Sequence, residues 1–228
     1  EYYVGRKLTN EELDAIHYNI VNTGENMHAK KHTDLRLLFS KRYLKLSLLM
    51  MITFFLYNLS LYGMSIALPI ILNYIKNSQK IFDEENQMPK EIDALIIFYS
   101  ILISGNLLGG ILAELKFIGK KYSSIILNLF SIIFAGIGLV YMEIFYVLIS
   151  FSFTFNNCAF NLHINWTGEV LPTKIRDLGF GLFLGMTRFG GFISQYVFIA
   201  FVNINAQITI WVYMIAILLV IVLLSFLP

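Results

Sequence analysis

From Leu46 to Tyr74 the chain runs without a charged residue, and nothing else in the sequence limits its fold so tightly. A helix rises about 1.5 Å per residue, so about 20 residues cross about 30 Å of hydrocarbon. This stretch exceeds that, with room for tilt or for a break near Pro69. Further uncharged stretches follow at Ala94 to Ala113, Tyr122 to Met142, Ile144 to Gly168 and Ile208 to Leu227; another, Leu178 to Phe201, is interrupted by Arg188. The pattern predicts an all-α membrane protein with six transmembrane helices. Composition agrees, with 57% hydrophobic and 14% charged residues, against about 25% charged in soluble domains. A soluble enzyme is excluded. The single cysteine, Cys158, cannot form an intrachain disulfide, and no second thiol completes a metal or redox pair. A net charge of +2 gives no basis for nucleic-acid binding.

Residues 1–40 read as a polar segment outside the bilayer and residues 41–228 as the six-helix bundle. Within the polar segment, Thr9-Asn10-Glu11-Glu12 before Leu13, Ile16 and Ile20 has the capping and spacing of a short surface helix. Lysine and arginine set the orientation. Lys30, Lys31, Arg36, Lys41, Arg42, Lys45, Lys116, Lys120, Lys121, Lys174 and Arg176 fall on one side, against Lys76, Lys80 and Lys90 on the other. Both termini are therefore expected on the cytoplasmic or equivalent side, in a membrane the residues do not identify. The sequons at Asn58 and Asn165 lie inside predicted spans, out of reach of glycosylation. A first residue that is not methionine fits a fragment or processed product.

Polar side chains inside hydrocarbon cost several kcal/mol unless they face protein or water, so their spacing marks interior faces. Gly181, Gly185, Arg188, Phe192 and Gln195 recur at intervals of three and four and share one helical face. The two glycines invite close approach by a neighbouring helix, leaving Arg188 and Gln195 to line a cavity. Thr154, Asn157, Asn161, Asn165 and Gly168 form a second ladder, with Asn156 and His163 on the adjoining stripe. Asn58, Tyr62, Ser65 and Pro69 form a third. Gly105 and Gly109 make a GxxxG pair beside Asn106. Isolated asparagines read as interhelical glue and His163 as a packing residue, whereas Arg188 reads as functional, because no acidic residue in its own helix can satisfy it.

The loop from Glu169 through Pro172-Thr173, Arg176 and Gly179 to Gly181 resembles the E-(x)2-P-T-x-x-R-x-x-G-x-G signature of the major facilitator superfamily. Ala159-Phe160-Asn161 and Thr187-Arg188-Phe189-Gly190-Gly191 resemble its organic cation and anion transporter branch and the related synaptic-vesicle proteins. Leu37 to Arg42, followed by Leu61-Tyr62-Gly63, is similar to the family's approach to helix seven. Gly110 to Lys121, with Glu114 and Gly119, resembles its loop between helices eight and nine, departing by two extra residues and by Leu115 at a usually basic position. The resemblance covers residues 34–227. It implies one bundle of two inverted three-helix repeats, the second half of a twelve-helix transporter, rocking against an N-terminal half around a midplane site.

On that footing the expected function is secondary transport of a small organic solute, anionic or zwitterionic, by alternating access. Arg188 would attract its charge, Gln195, Asn157, Asn161 and Asn58 would hydrogen-bond it, and Tyr62 or Phe192 would pack on its apolar body. The resemblance supports the sign, since family members preferring organic anions tend to carry arginine near this position. Glu169 with Arg176 or a facing helix, and Glu114 with Lys120 or Lys121, could latch a cytoplasmic gate; simple positive-inside anchoring explains the lysines equally well. The competing expectation is a transporter-derived assembly subunit whose polar face other membrane subunits fill. The expected partners are the lipid bilayer, an N-terminal six-helix half or such subunits, and the solute. No cofactor, catalytic dyad, metal-ligand spacing or nucleotide loop appears, so the chain reads as no enzyme.

Overall fold

The computed structural model describes residues 2–3, 6–7, 36–79, 96, 98–106, 119–141 and 144–227. Tyr2–Tyr3 pairs antiparallel with Arg6–Lys7. The helix start expected at Thr9 to Glu12 lies outside the described residues. A helical turn at 36–38 precedes α1 (Leu44–Gln79), and then come α2 (98–106), α3 (Lys120–Val140), α4 (Phe145–Val170), α5 (Thr173–Ile204) and α6 (Ala206–Phe226). At 36 residues, α1 is about 54 Å long and continues unbroken through Pro69.

The connections have local causes. Leu171 is extended, at φ −81° and ψ 131°, the region that a following proline imposes; Pro172 thus ends α4 and caps α5. Asn205 opens α6 by accepting the Gln207 backbone N–H on its side chain at 2.8 Å.

Among the described residues four helices are long and apolar enough to cross a membrane: α1, α3, α5 and α6. The chain is an α-helical, multi-pass membrane protein. Of the other two predicted spans, the second is described only at 96 and 98–106. The fourth, α4, has the length at 26 residues but falls short in apolarity, because Ser150, Ser152, Asn156, Asn157 and Asn161 dilute its phenylalanines.

Packing sorts the long helices into two intimate pairs, α1 with α5 and α3 with α4, and α6 lies against α1, α3 and α5. The first pair closes because Gly190 lets the backbones meet; a Cβ there would overlap the Phe55 carbonyl oxygen. One apolar core, including Phe98, Ile149, Phe153, Phe198 and Tyr213, fills the half nearer the α3–α4 connection. A second, around Met50, Phe54, Leu162, Phe183 and Leu224, fills the half nearer the α4–α5 turn. Leu38 joins the second core from ahead of α1, held by Ser47, whose hydroxyl donates to the Leu38 carbonyl at 3.0 Å.

Candidate functional site

The outward faces of the helices differ in chemistry. On α3 the exposed stripe is Ile126, Leu129, Ile133, Ile137 and Val140, and on α6 it is Trp211, Ile215, Leu218 and Val222. Both suit hydrocarbon. On α5 the exposed face carries Gly181, Gly185, Arg188, Phe192 and Gln195, the five residues whose spacing placed them together, beside the exposed Leu184, Phe189, Tyr196 and Ile199. Arg188 stands at the midpoint of this helix and, among the described residues, makes no ion pair or side-chain hydrogen bond.

The described residues leave this face open. Among the described residues nothing comes within 4 Å of a Cβ built at Gly181 or Gly185, and no described helix approaches there. Close approach falls instead at Gly190, on the other side of α5, and at Gly191, on the border of this face, where α1 packs. Arg188 and Gln195 therefore lie on the outside of the described bundle and line no internal cavity within it. Tyr62 of α1 stays near this face: it is 44% exposed, and its ring lies 3.1 Å from where a Gly191 Cβ would stand. Phe192, 59% exposed, meets Tyr196 edge to face at 5.4 Å.

The carboxamide ladder of α4 converges on α2. Asn106 Oδ1 accepts from Asn157 Nδ2 at 2.6 Å and from Asn161 Nδ2 at 3.1 Å. Below them, Thr154 presses on Gly105, where any side chain would collide, and the Cys158 thiol donates to the Gly105 carbonyl at 2.7 Å. Gly109 lies outside the described residues. Asn58, only 5% exposed, gives its amide to the Phe54 carbonyl of its own helix at 3.3 Å. The structure thus gathers Arg188, Phe192, Gln195 and Tyr62 on one side and Asn157 with Asn161 on another, and leaves Asn58 buried apart.

The predicted gating residues meet at the end holding the α4–α5 turn. Lys120 at the start of α3 forms an ion pair with Glu169 at the end of α4. Arg176 does not pair with Glu169; its Nε donates to the Leu171 carbonyl at 3.3 Å, bracing the proline turn. Lys121 donates to the Leu227 carbonyl and so ties α3 to the end of α6. Glu114 lies outside the described residues.

Sequence reasoning passed over the hydroxyls of α1. Thr53, Tyr57 and Ser60, spaced four and three, face the α3–α4 pair and carry its polar contacts. Thr53 meets His163 Nε2 at 3.3 Å, the Tyr57 hydroxyl meets Ser124 at 2.9 Å and Asn128 at 2.6 Å, and Ser60 accepts from Asn156 at 3.0 Å. Their spacing was the available signal, hidden inside an otherwise apolar run. Deeper in the bundle, Ser131, Ser152 and Tyr213 join α3, α4 and α6, with separations of 3.1 to 3.3 Å.

The chain matches no protein-family model, and no curated protein is significantly similar to it.

Proposed function

We propose that this chain is one bundle of a secondary transporter for a small organic anion or zwitterion, with the exposed face of α5 as its substrate face. The observation that carries this reading is Arg188, unpaired among the described residues, at the midpoint of an apolar helix and on a face that the described residues do not cover. A guanidinium at the bilayer centre costs at least about 2.5–3.5 kcal/mol, whereas the exposed stripes of α3 and α6 incur no such cost. A second membrane body therefore lies over the α5 face and leaves a wet cleft at Arg188.

In that cleft Arg188 holds the anionic group, Gln195 hydrogen-bonds beside it, and Phe192 and Tyr62 pack on the apolar part. Asn157 and Asn161 contribute from α4 where the cleft extends across the bundle. The likeness of residues 169–181 to the major facilitator signature supports an N-terminal six-helix half as the second body and this chain as two inverted three-helix repeats. The lysine bias supports a cytoplasmic location for the end where Lys120 pairs with Glu169, and there the pair latches one state of the carrier.

Uptake by the complete protein in proteoliposomes tests the proposal. With an aromatic carboxylate as solute, Arg188→Ala is expected to lower kcat/KM at least tenfold, a loss of about 1.4 kcal/mol. Arg188→Asp is expected to abolish anion uptake. Anion uptake unchanged in both variants overturns the reading.

A further inference from the structure

His163 is fully buried between α1 and α4, and its two ring nitrogens meet unlike surroundings. Nε2 stands 3.3 Å from Thr53 Oγ1. That hydroxyl has one hydrogen, directed to the backbone carbonyls of Met50 and Leu49 at 2.8 and 3.0 Å. With that hydrogen on the carbonyls, Thr53 accepts from the ring, Nε2 carries the imidazole hydrogen and Nδ1 is a bare lone pair. Among the described residues nothing donates to it.

Three aromatic rings enclose this base. Phe54, Tyr57 and Trp166 lie with centroids 5.0, 5.5 and 5.7 Å from that of the imidazole, inside the distance of about 6 Å at which ring faces attract a cation. The groups that face it from each helix are few. Tyr57 of α1 is titratable, but Ser124 and Asn128 of α3 occupy its hydroxyl. On α5, Phe183 reaches the cage through Phe54, and α6 adds Val220 and Leu224 to the same core. No lysine, arginine, aspartate or glutamate is among the described buried residues. The cage excludes water from the neutral ring, and Nδ1 is a buried position left without a partner among the described residues.

We propose that His163 is a proton-binding site that takes up a proton on Nδ1 when the seam between α1 and α4 admits water. The step is one N–H bond formed from a water-borne proton, with no electron transfer, and it reverses when the seam recloses. Across that seam α1 meets α4 through the Thr53–His163, Ser60–Asn156 and Thr167–Met50 contacts and through Phe54 and Tyr57 packed on Phe160. For its use in transport this inference rests on the carrier reading: it names the proton as the coupling ion, a role for which the described interior holds no carboxylate.

Trp166 sits close enough to His163 to report the charge, since an imidazolium quenches a neighbouring indole. The complete protein in nanodiscs, with its other tryptophans replaced, is expected to lose Trp166 emission in a single step as pH falls below about 6.5, the value of a free imidazole. His163→Gln, whose amide still donates to Thr53, is expected to remove that step. Thr53→Val keeps the imidazole and is expected to displace the midpoint; it carries the test if His163→Gln does not fold. Absence of the step in the parent, or its persistence unchanged in His163→Gln and Thr53→Val, overturns the proposal. In proteoliposomes a pH gradient is expected to stimulate solute uptake in the parent and not in His163→Gln. A fluorescence step without uptake of any solute leaves the proton site standing and removes the carrier reading, whereas uptake without the step removes the proton site alone.

Discussion

Glycines on the two sides of α5 separate what holds the bundle together from what the bundle presents. At Gly190 a Cβ would overlap the Phe55 carbonyl oxygen, a backbone atom that moves only if α1 and α5 part. Overpacking of that kind typically costs about 1–3 kcal/mol. Gly190→Val is therefore expected to lower thermal stability in detergent by that order. Gly185 has open space around it, so Gly185→Val is expected to stay within about 0.5 kcal/mol of the parent while suppressing solute uptake, because the added bulk lies one turn from Arg188 on the substrate face. Equal destabilisation by the two variants would mean that α5 is packed on both sides. Spacing alone made the Gly181, Gly185 and Arg188 face visible in the sequence; it did not show that α1 packs at Gly190. A glycine permits close approach without requiring it, and the choice is made by Phe55 and Tyr62 on a helix more than a hundred residues away.

At the level of elements, each helix was legible to the extent that one period dominated it. The ends of α3 and α6 fall within two residues of the runs read from the sequence, because hydrocarbon length and charge fix them, whereas α5 starts at Thr173, five residues ahead of its run, because Pro172 and not charge sets its start. The interior of α4 was legible as a polar ladder but not in its pairing: the sequence cannot tell that Asn157 and Asn161 both bond Asn106 while Asn156 turns to Ser60. Likewise Glu169 had two candidate partners close in sequence or on facing helices, and the antiparallel packing of α3 on α4 selects Lys120. With side chains 28% and 59% exposed, that pair is worth about 0–1 kcal/mol to the fold. Glu169→Gln and Lys120→Gln are accordingly expected to leave thermal stability unchanged and to alter the uptake rate alike. The exchange Lys120→Glu with Glu169→Lys is expected to restore the parental rate. A swapped protein no better than the single variants would reduce the pair to surface anchoring.

On the scale of the whole molecule the question is what lies over α5, and the three exposed stripes supply an internal comparison. Ile133 on α3 and Ile215 and Leu218 on α6 face outward among apolar neighbours, so cysteines there are expected to react with a lipophilic maleimide and to ignore a charged thiosulfonate. Cysteines at Gly185 and Gln195, flanking the guanidinium, are expected to show the opposite preference, because a helix face carrying Arg188 is stable in the bilayer only when water or protein solvates it. Cys158, 3% exposed and bonded to the Gly105 carbonyl, provides a quiet background. If a second bundle closes a wet cleft over this face, an anionic solute protects position 195 from the charged reagent, and Arg188→Ala abolishes that protection without abolishing labelling. Were positions 185 and 195 inert to both reagents in the complete protein, the covering body would be packed dry against α5, the guanidinium would be neutralised by a partner's carboxylate, and the chain would be a scaffold built on a carrier's plan. Labelling by the lipophilic reagent alone would place Arg188 against acyl chains, an outcome its energetic cost forbids unless α5 does not span the membrane at all.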